Sequence, residues 1–427
     1  MDFEEEIKMI RNRNSKWRQL DNAAKIFPAV SDKRDERVFR FVCELKEEVD
    51  PLILQVALDE SIKIFPMFLC VIRKGFFWNY MEERDIRPLV TEENMPPCSG
   101  IYVRDQRNLL FRVTYYKKRI NFEVFHALTD GTGALQFLKT LVHYYLKLVH
   151  PDEVNEPIYS YDATYTEKEE DSFKKYYKKV DKTIKIPKYR SFQLGGRKLD
   201  VGNMGIIEGK LSVSEVLKIS REYNTTMTVL LTAIYLAAIE KEIGPRHKQK
   251  TATLMVPVNL RNYFPSASAS NFFGWINVGY DFGVRGKELP EIISYVSEFF
   301  KKELTTERLA VRVNDFVKLE ENILARLLPL EIKNFGMKMG SKVKRYAVTA
   351  IFSNIGKVEM PEECSPYIEL FDIFISTPKM QLCMCSFNDQ LVLNFTSVYE
   401  STNVQRNFFR ILSGLGLQVE ISARDPQ

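Results

Sequence analysis

Between residues 151 and 204 the chain changes character. An acidic stretch (Glu153, Glu156, Glu167, Glu169, Glu170, Asp171) gives way to a basic one (Lys174, Lys175, Lys178, Lys179, Lys182, Lys185, Lys188), and Gly195, Gly196 and Gly202 punctuate its end. The lysine run reads as a solvated helix face rather than a binding surface. The segment matters because 427 residues exceed one ordinary core and suit two units of about 200 residues each. No other stretch makes so good a crossover. We therefore expect one half over residues 1–180, a crossover at about 151–204, and a second half over 205–427.

Each half mixes strands with helices. In the first, Val38 to Leu45 alternates and is rich in β-branched and aromatic residues, which predicts a strand. Asp50-Pro51 opens a helix with Leu54, Ala57, Leu58 and Ile62 at helical spacing. Phe68 to Ile72 reads as a short strand, and Gly75-Phe76-Phe77-Trp78 as the start of another. Residues 109–116 and 120–125 form a hairpin around Lys117-Lys118-Arg119, and Thr132 to Val149 is a helix. In the second half, Ser212 to Tyr223, Thr226 to Ile243 and Pro290 to Glu303 read as helices, and Ala252 to Val258 and Tyr346 to Phe352 as strands. Asn388-Asp389 turns a hairpin between 380–387 and 391–398, and a last helix covers about 404–412. The fold class is α+β, a mixed α/β sandwich, and the repeated mixture suggests a pseudo-repeat with a site between its halves.

Composition narrows the function. With 45% hydrophobic and 27% charged residues the chain is ordinary globular material. A formal charge of +5 is small for this length, and no Lys/Arg stripe interleaved with aromatics marks a nucleic-acid binder. Six cysteines (Cys43, Cys70, Cys98, Cys364, Cys383, Cys385) are scattered, with no CxxC pair or matching histidine cluster. They read as small core residues of a reduced, cytoplasmic protein, with no metal site. Cys383-Met384-Cys385 would put two sulfurs on one strand face. Met1 to Glu6 is acidic where a signal peptide needs basic residues, and the longest apolar stretch, Met227 to Ile239, is about 13 residues against the about 20 of a membrane span. A soluble protein is expected. A P-loop, a dinucleotide fingerprint, HExxH and GxSxG are all missing.

The chemistry concentrates in Phe122-Glu123-Val124-Phe125-His126-Ala127-Leu128-Thr129-Asp130-Gly131-Thr132-Gly133. Ile120, Phe122 and Val124 are the apolar alternates of the strand, and His126 falls on their face, so its ring points inward where the strand ends. Histidine is suited to take a proton at neutral pH, from a hydroxyl, amine or thiol. Asp130 stands at a helix start, where Gly131 and Gly133 permit a tight turn. The alternative is a buried histidine satisfied by a neighbouring carbonyl, with Asp130 only a cap. By composition, HxxxDG arises by chance in about one such chain in a hundred, so the pattern is informative. Of the other three histidines, His143 shares a helix face with Gln136, Lys139 and Lys147 and should be solvated, His150 precedes Pro151 at a helix end, and His247 lies in a basic loop.

Strand, HxxxDG and helix together resemble the signature of the chloramphenicol acetyltransferase-like superfamily of CoA-dependent acyltransferases and condensation domains. The resemblance is nearest in look to bacterial alcohol acetyltransferase-like proteins. The segment Trp17 to Pro28, then Leu58-Asp59 and Phe65-Pro66, is similar to the N-terminal part through which substrate enters in those proteins. Val256 to Arg261 with Asn271-Phe272-Phe273 is similar to a strand and loop of the family's second half, and Ser353-Asn354-Ile355-Gly356 to an element of wax ester synthases.

The resemblance implies two mixed-sheet halves meeting at a tunnel. His126 would be the general base, Asp130 an architectural residue held by an arginine (Arg261 or Arg40), and Gly131 a support of the motif. Ser353, Asn354 and Asn271 would position the thioester. It implies acyl-CoA as co-substrate, no bound cofactor, and an alcohol acceptor. The alternatives are an amine acceptor, an acyl-carrier-protein donor, or an idle member that binds an acyl thioester or a partner protein. Phe125 stands where condensation domains usually carry a second histidine. Phe272-Phe273-Gly274-Trp275 echoes a motif of plant acyltransferases at an unexpected place and is read as a coincidence of aromatics.

Overall fold

The computed structural model describes residues 17–424, except residue 22 and residues 158–171, 178–185, 188, 248–249 and 322–326. The acidic N-terminus and most of the lysine run lie outside the described residues. Before the crossover come strands β1 (Trp17–Gln19), β2 (Val38–Leu45), β3 (Cys70–Arg73), β4 (Tyr80–Glu83), β5 (Val90–Glu92), β6 (Phe111–Tyr116) and β7 (Arg119–Phe125). After it come β8 (Gly205–Ser212), β9 (Ala252–Asn259), β10 (Phe273–Tyr280), β11 (Ala350–Lys357), β12 (Ile368–Ile375), β13 (Gln381–Phe387), β14 (Gln390–Ser397) and β15 (Glu420–Arg424). Besides a single helical turn at Ser172–Lys175, the helices described are α1 (Phe27–Val30), α2 (Pro51–Ile64), α3 (Gly131–Val149), α4 (Val213–Glu222), α5 (Met227–Glu240), α6 (Leu289–Glu303), α7 (Thr306–Glu321), α8 (Leu330–Arg345) and α9 (Asn403–Gly414).

Two mixed sheets organise two lobes. The first has the order β12-β2-β7-β6-β5, and the second β10-β9-β11-β13-β14-β8-β15; a small sheet β1-β4-β3 flanks them. The β6–β7 hairpin turns at Lys117, whose φ of 50° supplies the left-handed residue a tight connection needs. Helix α2 starts as its sequence demands: the Asp50 carboxylate accepts from the Leu52 and Ile53 amides, with Pro51 in the first turn. The strand expected from Gly75 begins only at Tyr80, and the one expected from Tyr346 begins at Ala350.

The halves interlock. Strand β12 comes late in the chain, yet it adds to the edge of the first sheet, antiparallel to β2, with Phe371 opposite Cys43. The first lobe's core also takes in Leu260 and Phe272, which bound the β9–β10 connection, and Cys383, Cys385, Phe387 and Val392 from β13 and β14. The second lobe has its own core around the apolar α5, with Leu230, Ile234 and Leu236 against Leu254, Ile276, Phe352 and Phe395. Burial pushes the Cys383 thiol up to about 12, so it stays protonated, as expected of an inert core cysteine. No helix among the described residues is long and apolar enough to cross a membrane.

Candidate functional site

His126 immediately follows β7, on the same face as the fully buried Ile120, Phe122 and Val124. Its backbone amide donates to the Arg37 carbonyl at 2.8 Å. The ring stacks on Phe27 (centroids 4.6 Å apart, planes 20°), meets Phe39 edge-on at 4.9 Å, and lies 5.4 Å from Phe273. Part of it remains accessible. Burial pushes its pKa below the ordinary 6.5, outweighing the upward pull of its own carbonyl, Asp130 and Asn271.

One hydrogen-bond chain sets the ring's protonation. Asn271 Nδ2 donates to Asp21 Oδ2 at 3.1 Å, and the Asn271 backbone amide donates to the same oxygen at 3.2 Å. A carboxylate can only accept, so the side-chain amide is oriented with its NH2 toward Asp21 and its oxygen toward the histidine. Asn271 Oδ1 lies 3.1 Å from His126 Nδ1. The network therefore assigns the proton to Nδ1 and leaves the Nε2 lone pair free to accept one. Asp21 is itself fixed, since its Oδ1 accepts from the Ala24 amide at 2.7 Å.

Asp130 joins the lobes. Its Oδ1 caps α3, accepting from the Thr132 and Gly133 amides at 3.1 and 3.2 Å. Its Oδ2 accepts from Arg261 Nη1 at 2.7 Å and from the Phe272 amide at 2.9 Å. Arg261 holds its own loop as well, donating to the Ser268 and Ser270 carbonyls at 2.8 and 2.7 Å. Thr129 Oγ1 reaches the Ala269 carbonyl at 2.6 Å, and Asn259 Nδ2 reaches Thr132 Oγ1 at 3.2 Å. Gly133 is explained by this seam rather than by a turn: a Cβ there would strike Thr129 Oγ1 and the Ala269 carbonyl.

Arg40 does not reach Asp130. It stands directly opposite Glu123 in the β2–β7 register, out of phase with Phe39 and Phe41, and its guanidinium pairs with Glu123 at 2.8 Å and Glu93 at 2.6 Å. Arg112 also binds Glu123, so this buried cluster belongs to the first sheet and not to the histidine. Gly131 lies against the Ser353-Asn354-Ile355-Gly356 element: a Cβ on it would be 3.3 Å from Ile355 Cδ1. That element is a bulge in β11, with Gly356 at φ 90° donating its amide to Asn354 Oδ1 at 2.7 Å. Asn354 Nδ2 donates to Thr228 Oγ1 at 2.8 Å, and Ser353, partly buried, stands beside it opposite Cys383.

Two expectations need correction. His143 is not solvated: it is 1% exposed, neither ring nitrogen has a partner among the described residues, and burial lowers its pKa. The turn Glu362–Tyr367 covers that side of α3, which a local helical pattern does not reveal. Phe273, read as part of a coincidence of aromatics, faces the ring. His150 stacks on Tyr367 at 3.8 Å, and His247 is exposed. Sequence reasoning assigned no role to Asp21, Phe27 or Phe39. The only signal for the first two was their place in the Trp17 to Pro28 segment.

No family model matches the sequence, and no curated protein sequence matches it. Solved structures do. F. graminearum TRI101, complexed with coenzyme A and deoxynivalenol, superposes with a TM-score of 0.62 at 10% identity over 95% of this chain and 100% of that one. TRI3 trichothecene 15-O-acetyltransferase from Fusarium sporotrichioides gives 0.59 at 12% identity, over 93% and 94%. The first condensation domain of the CDA synthetase gives 0.59 at 14%, over 94% and 97%. The chain therefore has the two-lobed chloramphenicol acetyltransferase-like fold that acetyltransferases and condensation domains share.

Proposed function

We propose that this protein is an acyltransferase that moves an acyl group from a CoA thioester to an alcohol hydroxyl, with His126 as general base. The observation that carries the reading is the Asp21–Asn271–His126 chain, which leaves Nε2 as an acceptor on a partly accessible ring between the lobes. Nε2 takes the alcohol proton as the oxygen attacks the thioester carbonyl. The tetrahedral intermediate then collapses, the C–S bond breaks, and the imidazolium returns the proton to the departing thiolate. The products are an ester and free CoA. The depressed pKa keeps the ring neutral at pH 7, as a base requires. Acceptor and donor would meet at the ring through a tunnel between the lobes, which keeps water from the thioester.

The donor would occupy the second lobe. A cleft of about 900 Å³ there is lined by Arg221, Thr226, Thr228 and Lys301, whose cations suit the phosphates of CoA. Thr228 carries the contact onward to Asn354, beside the motif. The coenzyme A bound by TRI101 and the acetylated oxygen in the name of TRI3 favour this donor and this acceptor. Likeness to a condensation domain at a similar score favours the second reading, an amine acceptor with a carrier-bound donor. Purified protein should release thiol from short, medium or long acyl-CoA in the presence of alcohols. Release with amines only, or from acyl-carrier protein only, selects the second reading; no release with any pair removes the enzyme reading.

A further inference from the structure

Helix α8 shows an apolar stripe to the outside. Ile332, Phe335, Met339, Val343 and Tyr346 are 54%, 70%, 47%, 68% and 69% exposed. At 3.6 residues per turn they fall within an arc of about 80° and extend about 21 Å along the helix. The loop before β4 lengthens the patch: Phe76 is 73% exposed and its carbonyl accepts from the Leu330 amide at 3.0 Å. The helix is firmly seated. Lys333 lies 4.0 Å over the Trp78 ring and donates to the Phe77 carbonyl, Arg345 reaches Asp35 at 3.4 Å, and the inner face rests on α1. The stripe is therefore a fixed feature of the surface, and large exposed apolar patches of this kind mark interaction sites.

Charge identifies the occupant. Lys338 and Lys342 border one side of the stripe, both exposed and neither held in an ion pair among the described residues. The helix's one acid, Glu331, is held by Lys74 and Arg104. A second copy docked about a two-fold axis through this stripe would set those lysines against their own equivalents. An anionic bilayer complements them, and a stripe of about 21 Å is too short to span about 30 Å of hydrocarbon but suited to lie in its surface. We infer that α8, with Phe76, is a docking surface for anionic phospholipid membranes. Because α8 rests on α1, whose Phe27 stacks on His126, docking would bring the first-lobe side of the site to the bilayer.

The test is flotation of the full chain with vesicles of phosphatidylcholine mixed with phosphatidylserine, and of phosphatidylcholine alone. Binding is expected to the mixed vesicles and to weaken with salt. Lys338→Glu with Lys342→Glu should reduce binding at least tenfold, and Phe335→Ser with Val343→Ser about as much, with melting temperatures unchanged because all four side chains are exposed. Three results would overturn the inference: no flotation, equal flotation with both vesicle types, or flotation that survives both variants. A dimer in light scattering that Phe335→Ser dissolves, without vesicle binding, would give the stripe to a second copy and also overturn it.

Discussion

The contact that bears most on the architecture is Arg261–Asp130, and replacing the arginine measures it. Arg261→Met keeps the aliphatic stem, whose side chain is 10% exposed, and removes the guanidinium. The Asp130 carboxylate, 6% exposed, then keeps its three backbone donors but loses its cation, while the Ser268 and Ser270 carbonyls lose the guanidinium as a donor. Breaking a buried pair from one side costs about 3–5 kcal/mol. The surviving amides place this case near 3 kcal/mol, which for a unit of about 200 residues lowers Tm by about 6–12 °C. Thermal melts and urea titrations of Arg261→Met, Asp130→Asn and the double variant give the coupling. We expect the double variant to be less damaged than the sum, by about 1–3 kcal/mol. A folded Arg261→Met with wild-type Tm, or strictly additive losses, would refute the idea that this pair fastens the lobes.

The remaining predictions concern protons. His126→Ala should lower thiol release about 10²-fold or more with an unchanged melt, and the wild-type rate should rise with pH through a midpoint below 6.5 and level off above it, since the base must be neutral; equal activity in the variant rules out the base. Asp21→Ala frees the Asn271 amide to turn, so turnover should fall about tenfold while KM holds, and Asp21→Glu should recover part of it; no change in either variant removes Asp21 from the site. His143→Leu replaces two unpartnered buried nitrogens with an apolar side chain and should raise Tm by about 2–4 °C, worth about 1 kcal/mol. The folded pKa of His143 is depressed, so between that value and 6.5 the unfolded chain binds more protons; its contribution is present above 6.5 and lost as pH falls. The Leu variant should therefore gain most in acid, and a variant less stable than wild type at pH 5 would contradict this.

How much of this could be read in the sequence depends on how local each signal is. The β6–β7 hairpin, α2 with its Asp50 cap, and α3 follow from alternation, helical spacing and capping within about 20 residues. Strand β12 does not. Ile368 to Ile375 is buried along most of its length, so no period of two marks it, and its partner β2 lies more than 300 residues away. Helix α8 is weakly marked because Gly336 and Gly340 interrupt it and no side chain caps its start at Pro329. Arg40 and Arg261 were both candidates for Asp130 because a sequence shows two arginines and no register. Once β2 lies against β7, Arg40 falls opposite Glu123, and only Arg261 remains.

The missed partner of the imidazole has a consequence for how the site is built. Asp21 precedes the first sheet, His126 ends one of its strands, and Asn271 belongs to the β9–β10 connection of the other lobe. Each of the three is fixed by its own local contacts: Asp21 by the Ala24 amide, His126 by Arg37, and the Asn271 loop by Arg261. The Nδ1–H tautomer therefore exists as a unique state only when both lobes and the N-terminal segment are assembled. Loosening the Arg261 loop moves Asn271 before it moves His126. Variants of the lobe seam should then lose turnover at temperatures where the first lobe is still folded, because the proton on Nδ1 is set from across the interface.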